Sequence, residues 1–97
     1  MDKQRLRNLT TKRLHTQMGD VYEDIEYITG MKGIMTHMIP NAMRSLEPWL
    51  IEKVTDKEYW DGEYSPELTG EFEIKPMDEN DKNLFIQRYS NMKHPFA

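Results

Sequence analysis

Ile39-Pro40-Asn41-Ala42-Met43-Arg44-Ser45-Leu46-Glu47-Pro48-Trp49-Leu50-Ile51-Glu52-Lys53-Val54 places apolar residues at Ile39, Met43, Leu46, Leu50 and Val54, in steps of four, three, four and four. That spacing matches an α-helix turning every ~3.6 residues, so the five side chains share one face. Pro40 suits the first turn, where a missing N–H costs nothing. Pro48 lies inside the stripe and is expected to kink or divide it, giving one bent helix or two abutting ones. Trp49 and Ile51 fall off the stripe and are available to a second element or a partner.

Upstream, Asp20 can cap a helix in which Val21, Ile25 and Ile28 line one face, with Gly30 where a glycine stop belongs. Before it, Thr10 or Thr11 can cap a helix running to about Met18, with Gly19 in the turn. Residues 31–37 read as a connection. Downstream the period changes. Phe72 and Ile74 alternate with Glu71, Glu73 and Lys75, the pattern of a half-buried strand. Tyr59, Trp60 and Tyr64 supply strand-compatible aromatics opposite, so residues 57–75 read as a short antiparallel hairpin. A last helix is expected from Asp78, with Phe85, Tyr89 and Met92 on its inner stripe and Asp81 as a capping partner. The expected fold is α+β and mostly α: a compact helical domain with one short antiparallel hairpin. By length, residues 1–97 form one domain, with 1–8 as a flexible basic arm.

The chain has eight methionines and no cysteine. Without cysteine there are no disulfide staples and no zinc–thiolate sites, which fits a reducing cytosol. Methionine is unbranched and polarizable. The cluster Met18, Met31, Met35, Met38 and Met43 reads either as a plastic core or as a surface that grips another protein. No apolar run approaches the ~18–20 residues of a membrane span. Residues 1–15 carry charge and no long apolar run, unlike a secretory signal.

Net charge is −4, but its sign is segregated. Residues 1–18 balance at +4 and residues 56–81 at −8. A net acidic protein does not attract nucleic acid by its overall field, whereas an acidic face can dock on a basic groove of a partner. Thr11 to Ile28 can be laid on a helix-turn-helix frame. However, the would-be recognition helix carries Asp20, Glu23, Asp24 and Glu26 and no cation before Lys32, which opposes contact with phosphates. His15, His37 and His94 lack helical metal-pair spacing. Ser45, Ser65 and Ser90 lack a nucleophile-elbow context, and no glycine-rich phosphate loop occurs. No enzyme activity, cofactor or metal is therefore expected.

The segment Tyr59-Trp60-Asp61-Gly62-Glu63-Tyr64 mixes aromatics with carboxylates. Aromatic anchors inside an acidic rim are what a protein-binding hot spot looks like; hairpin core residues flanked by solvated acids fit equally well. The candidate partner-binding residues are Tyr59, Trp60, Asp61, Glu63, Tyr64, Glu67, Glu71 and Glu73.

Four blocks, Leu9-Thr10-Thr11, Gly19-Asp20-Val21-Tyr22, Ile28-Thr29-Gly30 and Thr36-His37-Met38-Ile39-Pro40, together with Ala42 and Leu46-Glu47-Pro48-Trp49-Leu50, resemble a small phage-encoded protein family of unknown function. The resemblance covers about residues 9–50. It implies a phage or prophage origin and carries no activity to transfer. Together these features lead to an expected protein-binding inhibitor of a host nucleic-acid-handling or defence complex, anti-CRISPR-like, in the host cytoplasm. Its partner would be a host protein or protein–nucleic acid complex, with no membrane and no direct nucleic-acid contact. The alternatives are a helix-turn-helix-like DNA-binding regulator, or a structural protein that forms homo-oligomers.

Overall fold

The computed structural model describes residues 1–61 and 67–92. Four helices make up its body: α1 (Lys3–Thr11), α2 (Met18–Thr29), α3 (Ile39–Lys53) and α4 (Glu79–Asn91). Short 3-10 turns at Thr36–Met38 and Lys57–Tyr59 flank α3. α3 packs against both α1 and α4, α1 against α2, and the second 3-10 turn against α1.

The stripe of α3 faces inward as its spacing requires: Ile39, Ala42, Met43, Leu46 and Leu50 are buried, and Val54 follows them. The helix is continuous through Pro48. The carbonyl that loses its donor belongs to Arg44, four residues back. Both Arg44 and Pro48 are exposed, so the missing bond falls on the helix's solvent side, where losing an N–H donor costs least. Trp49 turns toward α4 and its indole N–H donates to Asp81 at 3.2 Å. Ile51 points into solvent.

α2 buries Val21, Ile25 and Ile28, and Gly30 closes it in the left-handed conformation (φ 72°). Its start differs from expectation. Gln17 occupies the N-cap and Gly19 lies in the first turn, not before it. α4 begins as expected, with the Asp78 carboxylate accepting the Asp81 N–H at 2.8 Å. Phe85 is its one fully covered side chain among the described residues, while Tyr89 is half-buried and stacks on Phe85 with centroids 5.9 Å apart. Leu84 and Ile86 are exposed. With so thin a buried face, α4 is expected to exchange its amide hydrogens before α3 does; equal protection in a native-state exchange experiment would show that the two open as one unit.

The first helix is the largest departure from the sequence reading. Residues 1–8 are not a free arm, and the helix neither starts at Thr10 or Thr11 nor runs to Met18. α1 starts at Lys3, capped by Asp2, whose carboxylate accepts from the Gln4 and Arg5 N–H groups at 2.9 and 3.2 Å. It stops at Thr11 because Lys12 adopts a left-handed conformation. Leu6 and Leu9 enter the core, and Arg7 and Asn8 are buried beside them. The Arg7 guanidinium donates to the Asp61 carbonyl, and the Thr10 hydroxyl donates to the Tyr59 carbonyl.

The hairpin expected over residues 57–75 is absent. Among the described residues there is no strand, and the fold is helical, not α+β. Residues 57–59 form a 3-10 turn instead of a strand. In a strand, Tyr59 and its neighbour Trp60 would point to opposite faces; the turn brings both to the core side, Tyr59 1% exposed and Trp60 half-buried with its indole N–H on the Val54 carbonyl at 2.9 Å. The alternation of residues 71–75 is real, with Ile74 buried, Phe72 half-buried and Glu71, Glu73 and Lys75 exposed. Its backbone partner is the start of the chain. The Phe72 N–H donates to the Met1 carbonyl at 2.7 Å, the Lys3 N–H donates to the Gly70 carbonyl at 3.0 Å, and a lone antiparallel bridge joins Asp2 to Glu71. Farther on, the Met77 N–H donates to the Ile28 carbonyl at 2.8 Å, tying the segment over α2.

Candidate interaction surfaces

The eight residues expected to bind a partner fall into three groups. Tyr59 belongs to the core, in edge-to-face contact with Phe72 at 5.2 Å between centroids. It cannot anchor a partner without unfolding the turn that holds it. Burial and the nearby Glu58 and Asp56 push its phenol up from the ordinary value, as a side chain withdrawn from water requires. Trp60 is half-buried, with its polar handle already bonded inward. Asp61, Glu67, Glu71 and Glu73 are exposed. Glu63 and Tyr64 lie outside the described residues, as does His94. Of the described members, the aromatics Tyr59 and Trp60 are therefore structural, and Asp61, Glu67, Glu71 and Glu73 are the ones that reach solvent.

The exposed acids extend beyond that set to Asp56, Glu58, Asp78 and Glu79. Glu71 is bonded to the Met1 ammonium at 3.1 Å. Three of the five basic side chains in the first 18 positions, Arg5, Arg7 and Lys12, behave differently. Arg5 reaches across to α2, where its Nε and Nη2 grip the two Asp24 oxygens at 3.0 and 2.8 Å. Its Nη2 also donates to Glu23 at 3.0 Å, and Asp20 lies 3.8 Å from Nη1. Asp24 is buried. Its burial pushes the carboxyl up from the ordinary value, and Arg5 opposes the rise. Lys12 pairs with Glu47 at 2.6 Å.

Three of the four α2 acids that argued against a recognition helix thus serve α1. The helix-turn-helix frame over Thr11 to Ile28 also fails as geometry, because residues 12–17 form a loop where that frame needs its first helix.

This loop is fixed from below. The buried Asn8 amide oxygen accepts the His15 and Thr16 N–H groups at 2.6 and 3.2 Å, and its amide nitrogen donates to the Thr16 hydroxyl at 2.6 Å. Thr11 gives its hydroxyl proton to the Arg7 carbonyl at 2.6 Å and accepts the Arg13 N–H at 3.2 Å. Its remaining lone pair faces His15 Nε2 at 3.1 Å, which suits a neutral imidazole carrying its proton on that nitrogen. Burial, with Arg7 and Arg13 nearby, pushes the His15 imidazole down in agreement.

Held this way, the loop forms one wall of a groove of about 210 Å³ whose apolar lining is Leu14, Met18, Val21, Ile39, Pro40 and Met43. Leu14 is 56% exposed, Met18 40%, and Met35, next to the groove residue Thr36 in the chain, 64%. The helix expected to run to about Met18 would have set Leu14 and Met18 on one face. Their i, i+4 spacing was the signal, but the Lys12 turn breaks the helix before it reaches them. The methionine cluster divides accordingly: Met43 is core, Met31 and Met38 pack partly against it, and Met18 and Met35 face out.

Among the described residues no helix is long and apolar enough to cross a membrane, and no group of three or more His, Asp or Glu side chains is arranged to hold a metal ion. No curated protein and no solved structure matches the chain. A family model does match: residues 1–60, which contain α1 to α3 and the turn that seats Tyr59, fit a domain of unknown function, and the chain belongs to that family, DUF7736.

Proposed function

We propose that this chain is a non-catalytic, phage- or prophage-encoded protein that acts in the host cytoplasm. It would occupy a basic surface of a host nucleic-acid-handling or defence complex, in the manner of an anti-CRISPR protein. One observation carries the reading. The cations Arg5, Arg7 and Lys12 are turned onto the protein's own carboxylates and carbonyls, while Asp56, Glu58, Asp61, Glu67, Glu73, Asp78 and Glu79 stand in solvent. With a net charge of −4 the outward field is acidic on balance, with Arg13 an exposed exception, and an acidic face meets a basic one with fast, salt-sensitive association. The phage origin rests on the resemblance over residues 9–50. Tyr59 and Trp60 are engaged within the protein, so the role of this surface is steering and register more than residence time.

The test begins by retaining a host protein from lysate on the tagged chain and measuring its binding kinetics. Glu58→Lys with Glu73→Lys, both exposed, is expected to slow association about tenfold at low salt and to flatten its salt dependence, with dissociation little changed. An unchanged association rate would remove the acidic face from the interface. Salt-resistant, sequence-selective binding of duplex DNA by the chain alone would favour the regulator reading instead.

A further inference from the structure

We infer that the groove between the 12–17 loop, α2 and α3 is a second interaction surface. It would take a partner-protein segment that presents a large apolar side chain with a carboxylate beside it. The groove is distinct from the acidic face: the residues that line it run from Lys12 to Met43, and none belongs to the segment after α3.

Three observations select this occupant. The first is size. About 210 Å³ is smaller than the ~300–1,000 Å³ typical of small-molecule sites, and suits one or two inserted side chains. The second is the lining. Exposed Leu14 and Met18 above buried Val21, Ile39 and Met43 make a contiguous apolar surface, and its thioethers adapt to the shape of what enters. The third is charge. Lys12 and Arg13 stand at the groove and no carboxylate lines it. Lys12 is already paired with Glu47. Arg13 is exposed, and among the described residues its guanidinium forms no ion pair, so it offers the groove's unspent charge to an anionic neighbour. The wall is also preformed. Asn8 and Thr11 hold residues 13–16 by hydrogen bonds, so little ordering entropy is lost on binding.

The experiment uses the full chain with its methionine methyls labelled with carbon-13. The probe is a short helical peptide with two leucines one turn apart, flanked by glutamates, and its control carries lysines in place of the glutamates. The glutamate peptide is expected to shift the Met18 and Met43 methyl signals and leave Met77 in place. Arg13→Glu should weaken that binding roughly fivefold and improve binding of the lysine peptide. Leu14→Ala, at an exposed position, should reduce binding of the glutamate peptide roughly tenfold with an unchanged melting curve.

Equal binding of both peptides would overturn the charge selection and with it the proposed occupant. Shifts from neither peptide, or normal binding by Leu14→Ala, would remove the groove as a site. A Met18 signal that moves with protein concentration before any peptide is added would identify a second copy of the chain as the occupant and overturn a heterologous partner.

Discussion

Leu50→Ala is expected to lower stability by about 2–5 kcal/mol, the range for deleting a buried leucine side chain from a core that relaxes only partly. Leu50 is fully buried on the α3 face, and α3 is the helix that both α1 and α4 pack against. A cavity there is felt on both sides of the molecule. In a domain of this size each kcal/mol lowers the melting temperature by roughly 4–8 °C, so the change is large in a thermal scan. Ile51→Ala is the control. Its side chain is 56% exposed one position away, and its loss should stay within about 0.5 kcal/mol. If Leu50→Ala melts with the parent chain, α3 is not the centre of the core.

The second large effect lies at the contact of α1 and α2. Arg5→Ala leaves Asp24 buried without the guanidinium that grips both of its oxygens. Breaking a buried pair costs ~3–5 kcal/mol. Arg5 is about a third open to solvent, so a loss of about 2–3 kcal/mol is expected at neutral pH. The pH dependence has a definite sign. Burial already holds the Asp24 carboxyl above its ordinary value, and Arg5 is the chief influence pulling it down. Removing Arg5 raises it further. The folded variant then binds a proton more tightly than the unfolded chain does. Its deficit should therefore be greatest at neutral pH, where Asp24 must stay ionised, and should shrink as pH falls and the carboxyl is neutralised. Arg5→Ala with Asp24→Asn should recover most of the neutral-pH loss. Urea unfolding of the parent chain and these two variants at neutral and mildly acidic pH measures all of this. A deficit independent of pH would mean that Arg5 contributes through packing alone.

Where the sequence is legible, a periodic apolar stripe meets a clear stop. Ile25 and Ile28 ahead of Gly30, Leu46 and Leu50 along α3, and Phe85 behind the Asp78 cap all occupy the environments their spacing implies. α1 is hidden because most of what it buries is polar: Arg7, Asn8 and Thr10 against Leu6 and Leu9. Leu6 and Leu9 form a stripe of two, and Arg7 and Asn8 between them look like solvent residues until Asp61, His15 and Thr16 supply their partners. Residues 71–75 show the opposite failure. Their alternation correctly separates inner from outer side chains, but alternation carries no information about which backbone pairs with it. That partner, the Met1–Lys3 segment, is about 70 residues away. The acidic surface is readable as composition. Tyr59 could be assigned to it only because adjacent aromatics do not reveal whether a strand or a tight turn carries them. The groove is invisible in the sequence, since it exists only after the left-handed Lys12 has turned the chain away from a longer first helix.

The seating of α1 also sets an order of assembly. Its partners are the Tyr59 and Asp61 carbonyls and the backbone of Gly70 and Phe72. During synthesis α1 is made before the carbonyls and backbone groups that seat it, so these contacts cannot close until Phe72 has been added. At ~5–20 residues per second, the ribosome takes several seconds to add the residues between Thr11 and Phe72. Through that interval Leu6, Leu9 and the guanidinium of Arg7 are without their final surroundings. The nascent chain thus carries an apolar, cationic stretch that the folded protein conceals, and in that window it shows chaperones or neighbouring chains a surface that folding removes.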